Sequence, residues 1–411
     1  MDTEMSYAKE MTGYFRNDLK INALVAETQA YYSGVAGVRR EALVSDFIDM
    51  HSYWEHPSFP GRSWSSTEWS IRNSSMVSDK RGGTLLSFGQ HRVAGMPLTI
   101  SEYDHPAPSF FCAEMFPMLN SVSAFQDFDG IYHFTFDHPY DKGRIDNFFS
   151  NAGHPLKQVF VPVGAVLFRM GAIKPGQNPI QLNLPDDAVL KSLVKYGDKL
   201  RLHVSNMRYI WDEAGAPPAL ISLRPMNVKI EGNELKLSEP FEKPDGPWIS
   251  ETGEIIWDNT DSTQAVFKIN APSAKAAIGY IGGKSIDLGN VTVAMDTTPN
   301  NWATITLTSL DGKPVEESSR ILLVAAGKAE NTDWKWNENK TSLGRNWGNA
   351  PTRVEGIPAK LTFSNMDNFK VQPLDTYGTP GEEILIKKKG REISFGIGAQ
   401  YKTLWYIISR E

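Results

Sequence analysis

The sequence predicts a mixed α/β first half and an all-β second half, and three observations carry that division. Up to about residue 170, short apolar runs alternate with amphipathic stretches, the pattern of βα units on a parallel sheet. Beyond it, short alternating segments separated by Gly, Asn, Asp and Pro take over. A chain of 411 residues also exceeds one ordinary core, so two or three domains are expected.

In the first half, strands are expected at Ile21 to Ala26, Asp46 to His51, Met96 to Ser101 and Gly130 to Phe136. Helices are expected at Ser6 to Asp18, Arg39 to Leu43, Trp64 to Met76, Thr84 to Arg92, Ser109 to Gln126 and Pro155 to Met170. The intervening loops, notably His51 to Ser63 and Glu102 to Pro108, are polar, aromatic and rich in Pro and Gly. Residues 171–220 read as a connector with a short helix within Pro185 to Leu202. The stretch 221–411, with strands such as Ala276 to Leu288, Val291 to Met295, Ala303 to Leu307 and Ile321 to Ala326, supplies one or two β-sandwich domains.

Composition excludes several classes. A formal net charge of -6 and no basic run longer than Lys387-Lys388-Lys389 give no footprint for nucleic acid or anionic lipid. Cys112 is the single cysteine, so neither an intrachain disulfide nor a cysteine-based metal site can form. No apolar run reaches the roughly 18 residues of a membrane span. Met1 to Met5 lack the blocks of a signal peptide, so the chain as written is expected in the cytoplasm, and secreted if it is a piece of a longer precursor. No cofactor is expected. His51, His56, Asp104, His105 and Glu102 show no metal-binding spacing, so no metal is expected either.

Two strand ends carry candidate chemistry. The run Leu98 to Ser101 leads directly into Glu102-Tyr103-Asp104-His105-Pro106, which leaves a carboxylate at the end of a buried strand. The preceding strand ends in His51-Ser52-Tyr53-Trp54, where two-residue alternation puts His51 and Tyr53 on one side. A phenol there can hydrogen-bond a nucleophilic carboxylate, and an imidazole can bind sugar hydroxyls. The bland alternatives are a helix-capping Glu102, a satisfied core His51, and Tyr53 and Trp54 as loop anchors.

The segments Ser101-Glu102-Tyr103, His51-Ser52-Tyr53 and Gly130-Ile131-Tyr132-His133-Phe134-Thr135-Phe136 resemble the sixth to eighth strands of the (β/α)8 retaining glycosidases. That clan includes the family-five cellulases and mannanases and the β-galactosidases. The resemblance covers residues 1–170 and implies half of a (β/α)8 barrel, four βα units, ahead of the β-sandwich part. It further implies Glu102 as catalytic nucleophile, Tyr53 as its hydrogen-bonding partner and His51 as a substrate-site residue. Trp54, Gln29, Phe134, Phe136, Asp104 and His105 are the implied substrate-binding residues. The family's acid/base glutamate, which follows an Asn, has no counterpart in the first 170 residues; Glu55 and Asp104 are the internal substitutes. The expected partner is a β-linked poly- or oligosaccharide, and open half-barrel edges invite a homodimer. The competing reading is a non-catalytic carbohydrate-binding or structural protein in which Trp334, Trp336 and Trp347, set among Asn, Lys and Gly, stack on glycans.

Overall fold

The computed structural model describes residues 2–30, 34–136, 142–196, 205–242, 244–366 and 368–410. The first part runs α1 (Asp2–Asn17), α2 (Gly34–Val44), β1 (Ile48–Tyr53), α3 (Leu85–His91), β2 (Leu98–Asp104), α4 (Met115–Phe125), β3 (Gly130–His133) and α5 (Pro155–Gly164). A π-helical turn, Ala165–Arg169, extends α5. Strands β1, β2 and β3 form a three-stranded parallel sheet in that order. Ile48 and Met50 of β1 and Leu98 and Ile100 of β2 are fully buried. Helix α4 is buried at every position, as its uniformly apolar and small-residue sequence requires.

Next come β4 (Ile180–Asn183), α6 (Asp186–Tyr196), α7 (Ser205–Glu213), α8 (Leu220–Leu223), β5 (Met226–Lys229) and β6 (Lys236–Leu237). They contain a small mixed sheet ordered β5-β4-β6. The expected helix within 185–202 is present as α6, and residues 197–202 lie outside the described residues.

The remaining strands are β7 (Trp248–Ile249), β8 (Ile255–Asp258), β9 (Val266–Ala271), β10 (Ala274–Gly279), β11 (Ser285–Asp287), β12 (Val291–Met295), β13 (Ala303–Ser309), β14 (Arg320–Ala326), β15 (Ala329–Thr332), β16 (Asn349–Val354), β17 (Ala359–Ser364), β18 (Lys370–Pro373), β19 (Lys387–Lys389), β20 (Glu392–Ile397) and β21 (Trp405–Ser409). They build an eight-stranded sheet ordered β18-β21-β14-β13-β10-β9-β8-β7, a five-stranded sheet ordered β11-β12-β17-β20-β19, and the hairpin β15-β16. Leu307, Leu323 and Tyr406 from the larger sheet share a core with Val293, Leu361 and Phe395 from the smaller. The opposite face of the larger sheet, with Trp257, Phe267 and Ile278, joins the core of the first part. Strands β10 and β13 are therefore buried at every residue, and their sequences are apolar or small apart from Lys275, whose Nζ donates to Asn270 Oδ1 at 2.6 Å. Indole N–H groups seal this junction: Trp257 donates to the Val77 carbonyl at 2.7 Å, Trp302 to Ser75 Oγ at 3.2 Å and Trp405 to the Val159 carbonyl at 3.0 Å. The main core extends from Ala30 to Ile407 and so crosses both expected boundaries, at 170 and at 220.

The half-barrel expectation is overturned. The parallel sheet among the described residues has three strands rather than four βα units, and the sheets of the chain are mostly antiparallel. The segment 21–26 forms no strand because its backbone is already engaged. Arg16 donates to the carbonyls of Ile21 and Ala23, each at 2.7 Å, and Val25 bonds Asp46 through both its N–H and its carbonyl. Residues 64–75 are not helical either, and Met76 opens only a single 3-10 turn, Met76–Ser78. Ser58 and Ser70 form a β-bridge, the Ile71 N–H donates to the Thr341 carbonyl, and Trp69 and Ile71 alternate inward onto the segment between β15 and β16. A tertiary partner for the backbone here outweighs local helical pattern.

Candidate functional site

The C-terminal ends of β1 and β2 meet in register, with His51 opposite Glu102. The pairing skips Ser101, so β2 carries one extra residue at this point. The bulge re-aims the strand end, and the Tyr53 hydroxyl donates to Glu102 Oε2 at 2.5 Å. Both side chains are half-buried. His51 lies beside them, almost fully buried. Burial lowers its basicity, against the opposing pull of Glu102 and Asp49, so the imidazole is neutral at pH 7.

One turn of alternation back along β1, Asp49 accepts from Thr99 Oγ1 at 2.6 Å and from Gln29 Nε2 at 2.7 Å. Gln29 Nε2 also bonds Ser101 Oγ at 2.7 Å. A single amide thus ties β1 to the bulge of β2. Beneath it, Glu41 of α2 accepts the Asp49 N–H at 3.1 Å, and burial pushes its carboxyl up to about 8, so it is protonated at neutral pH.

An aromatic wall flanks the Tyr53–Glu102 pair. Tyr53 meets Phe149 edge-on at 5.1 Å, His56 at 5.3 Å and Phe134 at 5.9 Å. Trp64 stands against His56 and Phe149 at 5.7 and 6.1 Å while remaining 62% exposed. A wall of half-exposed rings around a carboxylate offers flat apolar faces next to a charge, the surface that suits a sugar ring.

The expected site residues divide into two groups. Glu102, Tyr53, His51, Gln29 and Phe134 come together. Trp54 is interior: its indole N–H donates to the Ser74 carbonyl at 2.8 Å, and Arg72 covers the ring. Asp104 and His105 are fully buried. Asp104 pairs with Lys157 Nζ at 2.6 Å, and His105 Nε2 shares a hydrogen bond of 2.9 Å with the Tyr103 hydroxyl. Neither can touch a substrate, because the chain enters the interior immediately after Glu102, with Tyr103 already fully buried. Phe136 is 74% exposed. Glu55 is equally sequestered, with Ser74 donating to it through both its N–H and its hydroxyl. Asp49, Trp64 and Phe149 are not among the residues the sequence pattern singles out, and His56 is singled out only as a metal-ligand candidate. Asp49 shares the alternation of His51 and Tyr53, which was the available signal. Among the described residues, no group of three or more His, Cys, Asp or Glu is placed to hold a metal ion, and no helix is long and apolar enough to cross a membrane.

Comparison with protein-family models finds no match, and comparison with curated proteins finds none either.

Proposed function

We propose that the chain is a glycoside hydrolase acting on a β-linked poly- or oligosaccharide by a retaining mechanism, with Glu102 as the nucleophile. The observation that carries this reading is the Tyr53–Glu102 hydrogen bond at the end of the parallel sheet, walled by Phe149, Phe134, His56 and Trp64. The resemblance of the His51-Ser52-Tyr53 and Ser101-Glu102-Tyr103 segments to retaining glycosidases supports the same assignment. The phenol holds one carboxylate oxygen in place, leaving the other oxygen as the attacking atom. In the first step Glu102 bonds the anomeric carbon as the aglycone oxygen departs; water then releases the sugar. A sugar leaving group also needs a proton donor within roughly 5 Å of the nucleophile. Asp104 and Glu55 are too enclosed for that role. A neutral His51 positions substrate hydroxyls.

Turnover of dinitrophenyl β-glycosides tests the proposal, because a dinitrophenolate leaves without protonation. Activity that falls by several orders of magnitude in Glu102→Gln supports it. Equal activity in the variant removes Glu102 from the mechanism. The enclosure of Asp104 and Glu55 favours a second reading, a carbohydrate-binding protein without turnover; it predicts glycan binding and no release of dinitrophenolate from any of these substrates.

A further inference from the structure

A groove of about 690 Å³ separates the loop after β1 from the segment that joins β15 to β16. Trp69 and Glu68 line one side, and Lys335, Trp336, Asn337 and Asn346 the other. Its size falls in the range of ligand sites, roughly 300–1,000 Å³. We propose that this groove is a second carbohydrate site, holding a distal stretch of the same glycan chain that reaches Glu102. The proposal depends on the glycosidase reading only for the class of ligand.

Three observations support it. First, the lining is amphipathic in the way a sugar chain is. The ring of Trp336 is half-exposed, buried Trp69 forms the floor, and amides, one acid and one base surround them. Sugars present C–H faces to rings and hydroxyls to amide and carboxylate groups, whereas a nucleic acid would require clustered cations.

Second, the groove is rigidly built. Trp69 Nε1 and Trp347 Nε1 both donate to the Gly344 carbonyl at 3.2 Å, and Asn337 Oδ1 accepts the N–H groups of Thr341 and Ser342. A loop fastened on both sides loses little freedom on binding.

Third, a chain of packed rings ties the groove floor to the candidate active site. Tyr53 touches Phe149, Phe149 touches Phe148 at 6.1 Å, and Phe148 touches Trp69 at 4.9 Å. An unbroken aromatic path therefore leads from the carboxylate to the groove floor. A second site in line with the first matches a polymeric substrate rather than a disaccharide.

The test is affinity electrophoresis of the full chain in gels containing soluble β-glucan, glucomannan, xylan or galactan. Glu102→Gln serves as the parent so that no polymer is cleaved. The parent is expected to be retarded by at least one polymer. Trp336→Ala and, separately, Asn346→Ala are expected to weaken that retardation about tenfold and threefold, on the order of one stacking contact and one hydrogen bond. Asn346 is exposed, so its truncation leaves the fold intact, and thermal unfolding checks Trp336→Ala. Retardation that survives both substitutions, or none with any of the four polymers, overturns the proposal. Release of dinitrophenolate is scored separately, so the groove and the Glu102 assignment can fail independently.

Discussion

Lys157→Met removes one half of a fully buried ion pair and leaves Asp104 without its counter-ion two residues beyond Glu102 on β2. The pair is short, 2.6 Å, and neither side chain is exposed, so water cannot replace the lost partner. Breaking such a pair costs about 3–5 kcal/mol, because an uncompensated carboxylate stays in the interior. With an unfolding entropy of about 2.1 cal/mol/K per residue, that loss lowers the melting temperature by roughly 3–6 °C if the chain unfolds as one unit. The cost should be larger at pH 8 than at pH 5. A buried Asp104 that has lost the Lys157 ammonium takes up a proton more readily in the folded than in the unfolded chain, so its penalty grows as pH rises above the ordinary carboxylate range. Burial, with Lys157 as a second cause, holds the nearby His105 and His154 well below the ordinary histidine range and takes His133 down to about 3. Those rings are therefore neutral in the parent, and burial, the larger cause, persists when Lys157 is removed. Urea unfolding at the two pH values measures the effect, and the double variant Asp104→Asn/Lys157→Met should recover most of the loss. A Lys157→Met chain within about 1 kcal/mol of the parent at pH 8 would refute the reasoning.

Further predictions follow from the same geometry. Tyr53→Phe removes one hydroxyl from Glu102 and should lower kcat roughly 10-fold to 1,000-fold with an unchanged melting temperature; a large thermal loss would instead make Tyr53 a packing anchor. Glu41 titrates at about 8 in the fold against the ordinary 4.5, so its share of stability is present below about 4.5 and is lost as pH rises toward 8. Glu41→Gln should therefore flatten the decline in stability between those values, by an amount on the order of 4 kcal/mol; an unchanged pH profile in urea titrations contradicts this. Trp64→Ala should raise KM for oligosaccharides by about tenfold, as loss of an exposed stacking ring does, and kinetics with substrates of increasing length would reveal no change if the ring lies off the path.

The sequence announces β1, β2 and β3 because each is an apolar run bounded by turn residues, and such runs need little tertiary information to be recognised. The two-residue alternation likewise puts His51 and Tyr53 on one side of β1. What it could not convey is competition for backbone groups. Arg16 and Asp46 occupy the bonds that residues 21–26 would have offered to a fourth strand, and neither the reach of the Arg16 side chain nor the return of Asp46, 21 residues beyond Val25, is written in the apolar pattern of the segment. The bulge at Ser101 was equally silent, although it sets where Glu102 points. Trp54, Asp104 and His105 look like site residues by proximity to strand ends. Trp54 and Asp104 are held in the interior by Ser74 and Lys157, which are 20 and 53 residues away in sequence, and His105 by the buried Tyr103 two residues before it. Trp334, Trp336 and Trp347 read as exposed glycan platforms, yet they form a half-buried cluster with Trp69 and Phe148 that ties the β15–β16 segment to the loop after β1. Only Trp336 of these three lines the groove.

The most direct test of the central claim is covalent trapping with dinitrophenyl 2-deoxy-2-fluoro-β-glycosides, followed by peptide mass spectrometry. The fluorine slows release of the glycosyl intermediate, so a retaining nucleophile stays labelled. The account predicts one modified peptide, carrying the fluoro-sugar on Glu102, at a stoichiometry approaching one, and no label in Glu102→Gln. A label on any other carboxylate, or undiminished labelling of Glu102→Gln, would contradict it.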